Sequence, residues 1–184
     1  TSALRLLSVE MTDPTGYGRI VRRGKKGSVL RIVEERDANL REKMIKEVAA
    51  SIYLFNPSFL KAGLRRLTDK NSQKEYYLTD LVSQAARMKK KMQLLRWEDP
   101  ADLRGVNNPW ELSLAGRIFN ERHIQYWALR GVRFVDPFST WIDQGVELAE
   151  DVTIHPGVLL CGKTRIGRRT VIGARSVLKN VEVE

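Results

Sequence analysis

Ile142, Leu148, Ile154, Leu160, Ile166, Ile172 and Leu178 recur at every sixth position of WIDQGVELAEDVTIHPGVLLCGKTRIGRRTVIGARSVL, residues 141–178. Four residues after each of the first six stands Val146, Val152, Val158, Thr164, Thr170 or Ser176. A period of six is neither the 3.6 of a helix nor the 2 of a strand. It matches hexapeptide repeats, in which each hexad gives one short strand and one inward aliphatic side chain. A small or β-branched residue then packs beside it, and glycines such as Gly167 and Gly173 are expected at the corners. Residues 132–184 therefore read as the start of a left-handed parallel β-helix of roughly two turns.

Upstream, Asn108-Pro109-Trp110-Glu111 carries the signs of a helix start: an Asn cap, proline at the first position and glutamate at the third. The helix should run to about Arg130 and stop at Gly131. With no Pro/Ser-rich linker in sight, residues 109–131 read as a connecting helix between two domains. In residues 1–108, strands are expected over Leu4–Glu10, Arg19–Arg23 and Ser28–Val33, the last two joined as a hairpin through Gly24-Lys25-Lys26-Gly27. A short helix over Asp37–Lys46 and a buried strand over Ala49–Phe55 follow. Helices at Pro57–Leu67 and Thr79–Lys90 and a strand at Met92–Leu95 complete an α/β pattern.

Composition narrows the class. No apolar run approaches the roughly 18–20 residues needed to span a bilayer, and no signal peptide is visible. One cysteine, Cys161, excludes an internal disulfide framework, and two histidines leave little for a zinc site. The protein reads as cytoplasmic. The formal charge is +10, but the basic runs are short and interspersed with acidic residues, and no nucleic-acid motif accompanies them. Neither nucleic acid nor a membrane is expected as a partner.

The remaining signals lie before the helix. DPTGYGRIVR (Asp13–Arg22) sets two glycines about a tyrosine ahead of a strand. IVEERDA (Ile32–Ala38), EYYLTD (Glu75–Asp80) and GVNN (Gly105–Asn108) then follow in order. Taken singly, Glu34 reads as a solvated charge, Tyr77 as a core aromatic, and Thr79 and Asn107 as helix-cap residues.

That ordered set, with GVRFVDPFSTWID and the hexads after it, resembles the bifunctional bacterial N-acetylglucosamine-1-phosphate uridyltransferase / glucosamine-1-phosphate acetyltransferase family. The resemblance covers nearly all of the chain, which on this reading begins midway through the sugar-nucleotide domain and stops early in the acetyltransferase domain. It implies that residues 1–108 are the C-terminal part of a Rossmann-like nucleotidyltransferase domain. It also implies synthesis of UDP-N-acetylglucosamine from UTP and N-acetylglucosamine 1-phosphate by the complete protein, a homotrimeric state, and Mg²⁺ as cofactor. Carried over motif by motif, the Gly18 amide and Glu34 would bind the sugar, Tyr77 and Thr79 would line its pocket, and Asn107 would supply an oxygen to the metal.

This chain departs from the family in four ways. Where the family has Asn-Thr-Gly, it has Ala49-Ala50-Ser51, so the asparagine that holds the sugar is gone. Lys74 stands where glycine usually precedes EYY. The glycine-rich loop for the UTP phosphates and the Asp that shares the metal are not among its residues. The acetyltransferase histidine belongs beyond Glu184, and neither His123 nor His155 matches it. These residues imply no catalytic group and an inactive piece. The alternatives are a nucleotidyltransferase for a different hexose 1-phosphate, or a non-catalytic trimeric scaffold.

Overall fold

The computed structural model describes residues 2–24 and 27–184. The chain divides into two compact units, Thr1–Gly105 and Val106–Glu184. It is mixed α/β with parallel sheets. Among the described residues, no helix is long and apolar enough to cross a membrane.

The first unit runs β1 (Leu4–Glu10), β2 (Arg19–Arg22), β3 (Val29–Val33), α1 (Leu40–Lys43), β4 (Glu47–Phe55), α2 (Pro57–Leu64), α3 (Asp80–Arg87) and β5 (Met92–Trp97). Its sheet has the order β3-β2-β4-β1-β5. β1 pairs antiparallel with β4 and parallel with β5, while β2 pairs antiparallel with β3 and β4. Lys25 and Lys26, within the expected hairpin link, lie outside the described residues.

One face of this sheet, with Leu4, Leu6, Ile20, Ile32 and Ala49, is sealed by Val82 and Ala85 of α3. Gly63 of α2 allows the close packing. A Cβ there would come within 2.6 Å of Leu81 Cδ2. The opposite face is open along a groove of about 470 Å³ lined by Leu7, Ile52, Leu54 and Leu95. The expectation of a strand buried throughout Ala49–Phe55 is therefore corrected, because Ile52 and Leu54 are 50% and 63% exposed. The helix expected over Asp37–Lys46 shrinks to Leu40–Lys43. Asn39 and Glu42 form a capping box, but α1 buries no residue, and without a buried face one turn is all that holds.

β4 carries an irregularity that matters below. Leu6 pairs with Tyr53 but Ser8 pairs with Ala49, so β4 bulges against β1. Ser51 takes up the excess at φ +56°, and Lys74 lies at φ +55°. Both are left-handed conformations that a side chain resists. Glycine would take either conformation without that cost.

The second unit opens with α4 (Pro109–Ala128), capped by the Asn108 side chain on the Glu111 amide at 2.9 Å. Gly131, at φ +91°, follows its end, as expected. The strands β6 (Arg133–Phe134), β7 (Trp141–Ile142), β8 (Glu147–Leu148), β9 (Thr153–Ile154), β10 (Leu159–Cys161), β11 (Arg165–Ile166), β12 (Val171–Ile172), β13 (Val177–Lys179) and β14 (Glu182–Val183) come next. Three parallel sheets collect every third strand: β13-β10-β7, β14-β11-β8 and β12-β9-β6.

Leu160 pairs with both Ile142 and Leu178, so within the hexads the chain stacks on residues eighteen away. The end strands depart from this, β14 pairing seventeen residues from β11 and β6 twenty from β9. The first six hexad aliphatics are buried, and Leu178 packs against them partly buried. Val146, Val152, Val158 and Thr164 are buried beside them. The corners differ from expectation. Positive φ falls at Asp151, Gly157, Gly162, Arg169, Arg175 and Asn180, not at Gly167 or Gly173. Gly167 is needed for closeness instead, since a Cβ would meet the Val183 carbonyl oxygen at 2.9 Å.

The first strand of the β7 sheet has no lap before it to pair with. Asn120 of α4, almost fully buried, fills that place. Its Nδ2 donates to the Thr140 carbonyl at 2.8 Å, and its Oδ1 accepts from the Ile142 amide at 2.9 Å. Asn120→Ala leaves a buried carbonyl and a buried amide unpaired, and should cost about 1–3 kcal/mol. Urea denaturation of the two proteins measures the difference. In the first unit, Ser51→Gly relieves the left-handed side chain and should raise stability by about 0.5–1 kcal/mol in the same assay.

Candidate functional site

The Gly-Tyr-Gly turn is held from three directions. Gly16 adopts φ +85°, and its amide donates to Glu35 Oε2 at 3.2 Å. Tyr17 Oη accepts from the Gly105 amide at 2.7 Å, which ties the turn to the end of its own unit. Arg19 is only 2% exposed and forms an ion pair with Glu35 while also donating to the Tyr17 carbonyl. Desolvation pushes the Glu35 carboxyl up, but hydrogen bonds from Arg19 and Gly16 and the Arg19 charge outweigh it and leave the group below its ordinary value. Arg19, at an alternating position, was not readable from sequence as buried. Its partner Glu35 is the neighbour of Glu34.

Glu34 follows β3 directly and receives two of the sequence-derived site residues. Thr79 Oγ1 donates to Glu34 Oε1 at 2.7 Å. The Thr79 side chain makes no capping bond to α3, so its hydroxyl serves Glu34 instead. On the other side stands Gly18. A Cβ there would lie 3.3 Å from Glu34 Oε2 and 2.7 Å from Ile32 Cγ2. Gly18 thus permits close approach and does not serve as a left-handed hinge. Its carbonyl accepts the Ala49 amide at 2.9 Å, which places the altered Ala49-Ala50-Ser51 run next to this corner.

Tyr53 was missed. Its Oη is buried with no hydrogen-bond partner among the described residues, and its ring stacks on Phe55 at 5.6 Å. Burial first, and the nearby Glu34 charge second, push the phenol up to about 12. Nothing in a β-strand pattern distinguishes a tyrosine whose hydroxyl is unpaired.

The remaining two residues are engaged elsewhere. Tyr77 Oη accepts from Gln73 Nε2 at 2.9 Å and lies near Asp37. Asn107 belongs to the second unit, where its amide nitrogens engage Glu111 Oε2, the backbone N–H at 2.6 Å and Nδ2 at 3.2 Å. Its Oδ1 is the kind of hard oxygen that Mg²⁺ accepts. Among the described residues, however, no three His, Cys, Asp or Glu side chains gather to hold a metal ion. The donor set in this chain therefore does not make a Mg²⁺ site by itself. His123, on α4, accepts from Trp127 Nε1 at 3.2 Å, and burial pushes its imidazole below the ordinary value.

No family model matches the chain. Curated proteins do. Over 182 residues it is 42% identical to the bifunctional protein GlmU of Rhodococcus jostii, covering 99% of this chain and 36% of that protein. The chain matches a segment of GlmU. GlmU of Clostridioides difficile is 42% identical over 178 residues, 97% of this chain and 39% of that protein. GlmU of Corynebacterium diphtheriae is 38% identical over 183 residues, 100% and 38%. The chain thus spans little more than a third of the length of these GlmU relatives. The resemblance drawn from the ordered motifs holds.

The environment of Tyr53 can be checked directly. Its neutral form is favoured on folding, so its contribution to stability is complete below the ordinary value of 10.0 and is lost as pH rises through about 12. Tyrosinate absorbance should include a component titrating near 12, and Tyr53→Phe should remove it. A set of tyrosines all titrating together near 10 would contradict the burial described.

Proposed function

We propose that this chain is part of a sugar-1-phosphate nucleotidyltransferase that makes UDP-N-acetylglucosamine from UTP and N-acetylglucosamine 1-phosphate. In this reading residues 1–108 are the C-terminal part of a Rossmann-like nucleotidyltransferase domain and 109–131 the connecting helix. Residues 132–184 are then the first laps of a left-handed β-helix of acetyltransferase type. The observation that carries it is the corner where Thr79 orients the Glu34 carboxylate against a glycine too small to obstruct it. A carboxylate whose one oxygen is fixed by a threonine hydroxyl presents the other to a sugar hydroxyl, while the Gly18 amide suits an acetamido carbonyl. Binding of this kind orients the sugar phosphate for in-line attack on a nucleotide α-phosphorus. Mg²⁺, when bound, would neutralise phosphate charge. Asn107 would be one of its ligands, the rest coming from outside this chain.

The apolar sheet face at Ile52, Leu54 and Leu95 is what the remainder of such a domain would cover. Among the described residues there is no glycine-rich cradle for a triphosphate, and we infer that the chain does not turn over alone. A homotrimer accords with the exposed column Trp141, Leu159 and Val177 on one sheet of the second unit. That column also favours the scaffold alternative. A different hexose is favoured by Ala49, which is buried and offers no hydrogen-bonding side chain.

Calorimetric binding to the complete protein discriminates these readings. Glu34→Gln should weaken N-acetylglucosamine 1-phosphate about tenfold or more, as expected for a hydrogen bond to a charged group. Ala49→Asn should tighten it by roughly twofold to tenfold. Tighter binding of another hexose 1-phosphate by the natural protein would favour the different-sugar reading, and no binding of any would favour the scaffold.

A further inference from the structure

Positive charge is unevenly shared along this chain. Thr1–Gly105 carries 22 Lys and Arg against 13 Asp and Glu, a formal +9, while Val106–Glu184 carries 10 against 9, a formal +1. Within the first unit the excess gathers where α2 and α3 end. Gln84 Nε2 of α3 donates to the Gly63 carbonyl of α2 at 3.3 Å, and Arg66 Nη1 lies 3.8 Å from Met88 Sδ. The two C-terminal ends are therefore neighbours. Arg65, Arg66, Arg87, Lys89, Lys90 and Lys91 are all exposed there. Among the described residues none of the six makes a close salt bridge, though Arg87 is near enough to Asp80 for its charge to act on that carboxyl. By contrast, Arg19, Arg22, Arg31 and Arg96 each hold a carboxylate.

Cations complement the carbonyl-rich end of a helix, but the effect fades within the last turn and does not call for six. Nor does the fold need them, since none lies in the sheet core. Leu64 and Met88, at 46% and 45% exposed, stand among them. A surface for single-stranded nucleic acid would add aromatic rings for base stacking, and this patch presents none. Clustered Lys and Arg with apolar tips between them fit a layer of anionic headgroups over hydrocarbon.

We propose that the adjoining ends of α2 and α3 form a peripheral docking surface for an anionic phospholipid bilayer. This replaces the expectation of no membrane partner and is independent of the sugar-site reading. It asks for no spanning segment. The contact is electrostatic, held by the six cations, with Leu64 and Met88 entering the headgroup layer.

Co-sedimentation with vesicles tests it. The protein should pellet with phosphatidylcholine–phosphatidylglycerol vesicles at low salt, stay in solution with phosphatidylcholine alone, and be released from the anionic vesicles by high salt. Each cation contributes about fivefold in affinity, so the combined Arg65→Glu, Arg66→Glu, Lys89→Glu, Lys90→Glu variant should fall about a hundredfold or more. A control with the same charge change at scattered exposed sites, Arg104→Glu, Arg133→Glu, Lys163→Glu, Lys179→Glu, should keep most of the binding. Circular dichroism of both variants establishes that they are folded. Leu64→Ser with Met88→Ser should weaken binding without altering charge. Equal loss in the scattered control would overturn the proposal, because net charge rather than this patch would be responsible. Absence of vesicle binding would overturn it too, as would tight salt-sensitive binding to RNA in place of vesicles.

Discussion

Backbone pairing between strands one lap of chain apart is the constraint on which the second unit rests. Its strands are only two or three residues long, too short to be stable as separate pieces. Each is held by the laps on either side, and by side chains that stack at the same spacing inside. A solenoid of this kind satisfies its own amides everywhere except at its ends. Asn120 closes one end by standing in for a strand. The amide side chain of asparagine has the same donor and acceptor as a peptide group, which is why it can take that place.

In the first unit the corresponding device is a carboxylate in each of two settings. Glu47 accepts from Ser8 Oγ and takes a bidentate pair from Arg22, fixing β4 against β1 and β2. Among the described residues the Glu34 carboxylate is held on one side, by Thr79, and faces a glycine on the other. The first arrangement is closed and serves the fold. The second leaves one oxygen without a hydrogen-bond donor among the described residues, as the proposed sugar site requires, and this distinguishes the two carboxylates better than burial does.

Much of this was legible in the sequence where the signal is local or periodic. The hexad aliphatics, the Asn108 cap and the stop at Gly131 follow from spacing and from the preferences of single residues. The association of Gly18, Glu34 and Thr79 was readable only because the motifs occur in one order. What escaped depended on partners far along the chain. The bulge at Ser51 arises from the register between β1 and β4. Burial of Arg19 depends on Glu35, and the isolation of the Tyr53 hydroxyl depends on what surrounds it. Asn120 offered one hint, a polar residue a turn from Ile124 on the apolar side of α4. The span of Asp37–Lys46 was overread because helical spacing was present without any surface to bury it against.

The uneven charge of the two units has a kinetic consequence. The sugar phosphates and nucleotides of the proposed function are anions, and a unit with formal charge +9 would draw them in by long-range attraction before any specific contact forms. Encounter rates with the first unit are therefore governed by ionic strength, with a screening length of about 8 Å at physiological salt. Departure of a ligand held as proposed at Glu34 would be governed by short-range bonds, which salt screens far less. On that proposal, capture and retention of a phosphorylated ligand would fall to different residues, and changes in ionic strength would act mainly on capture.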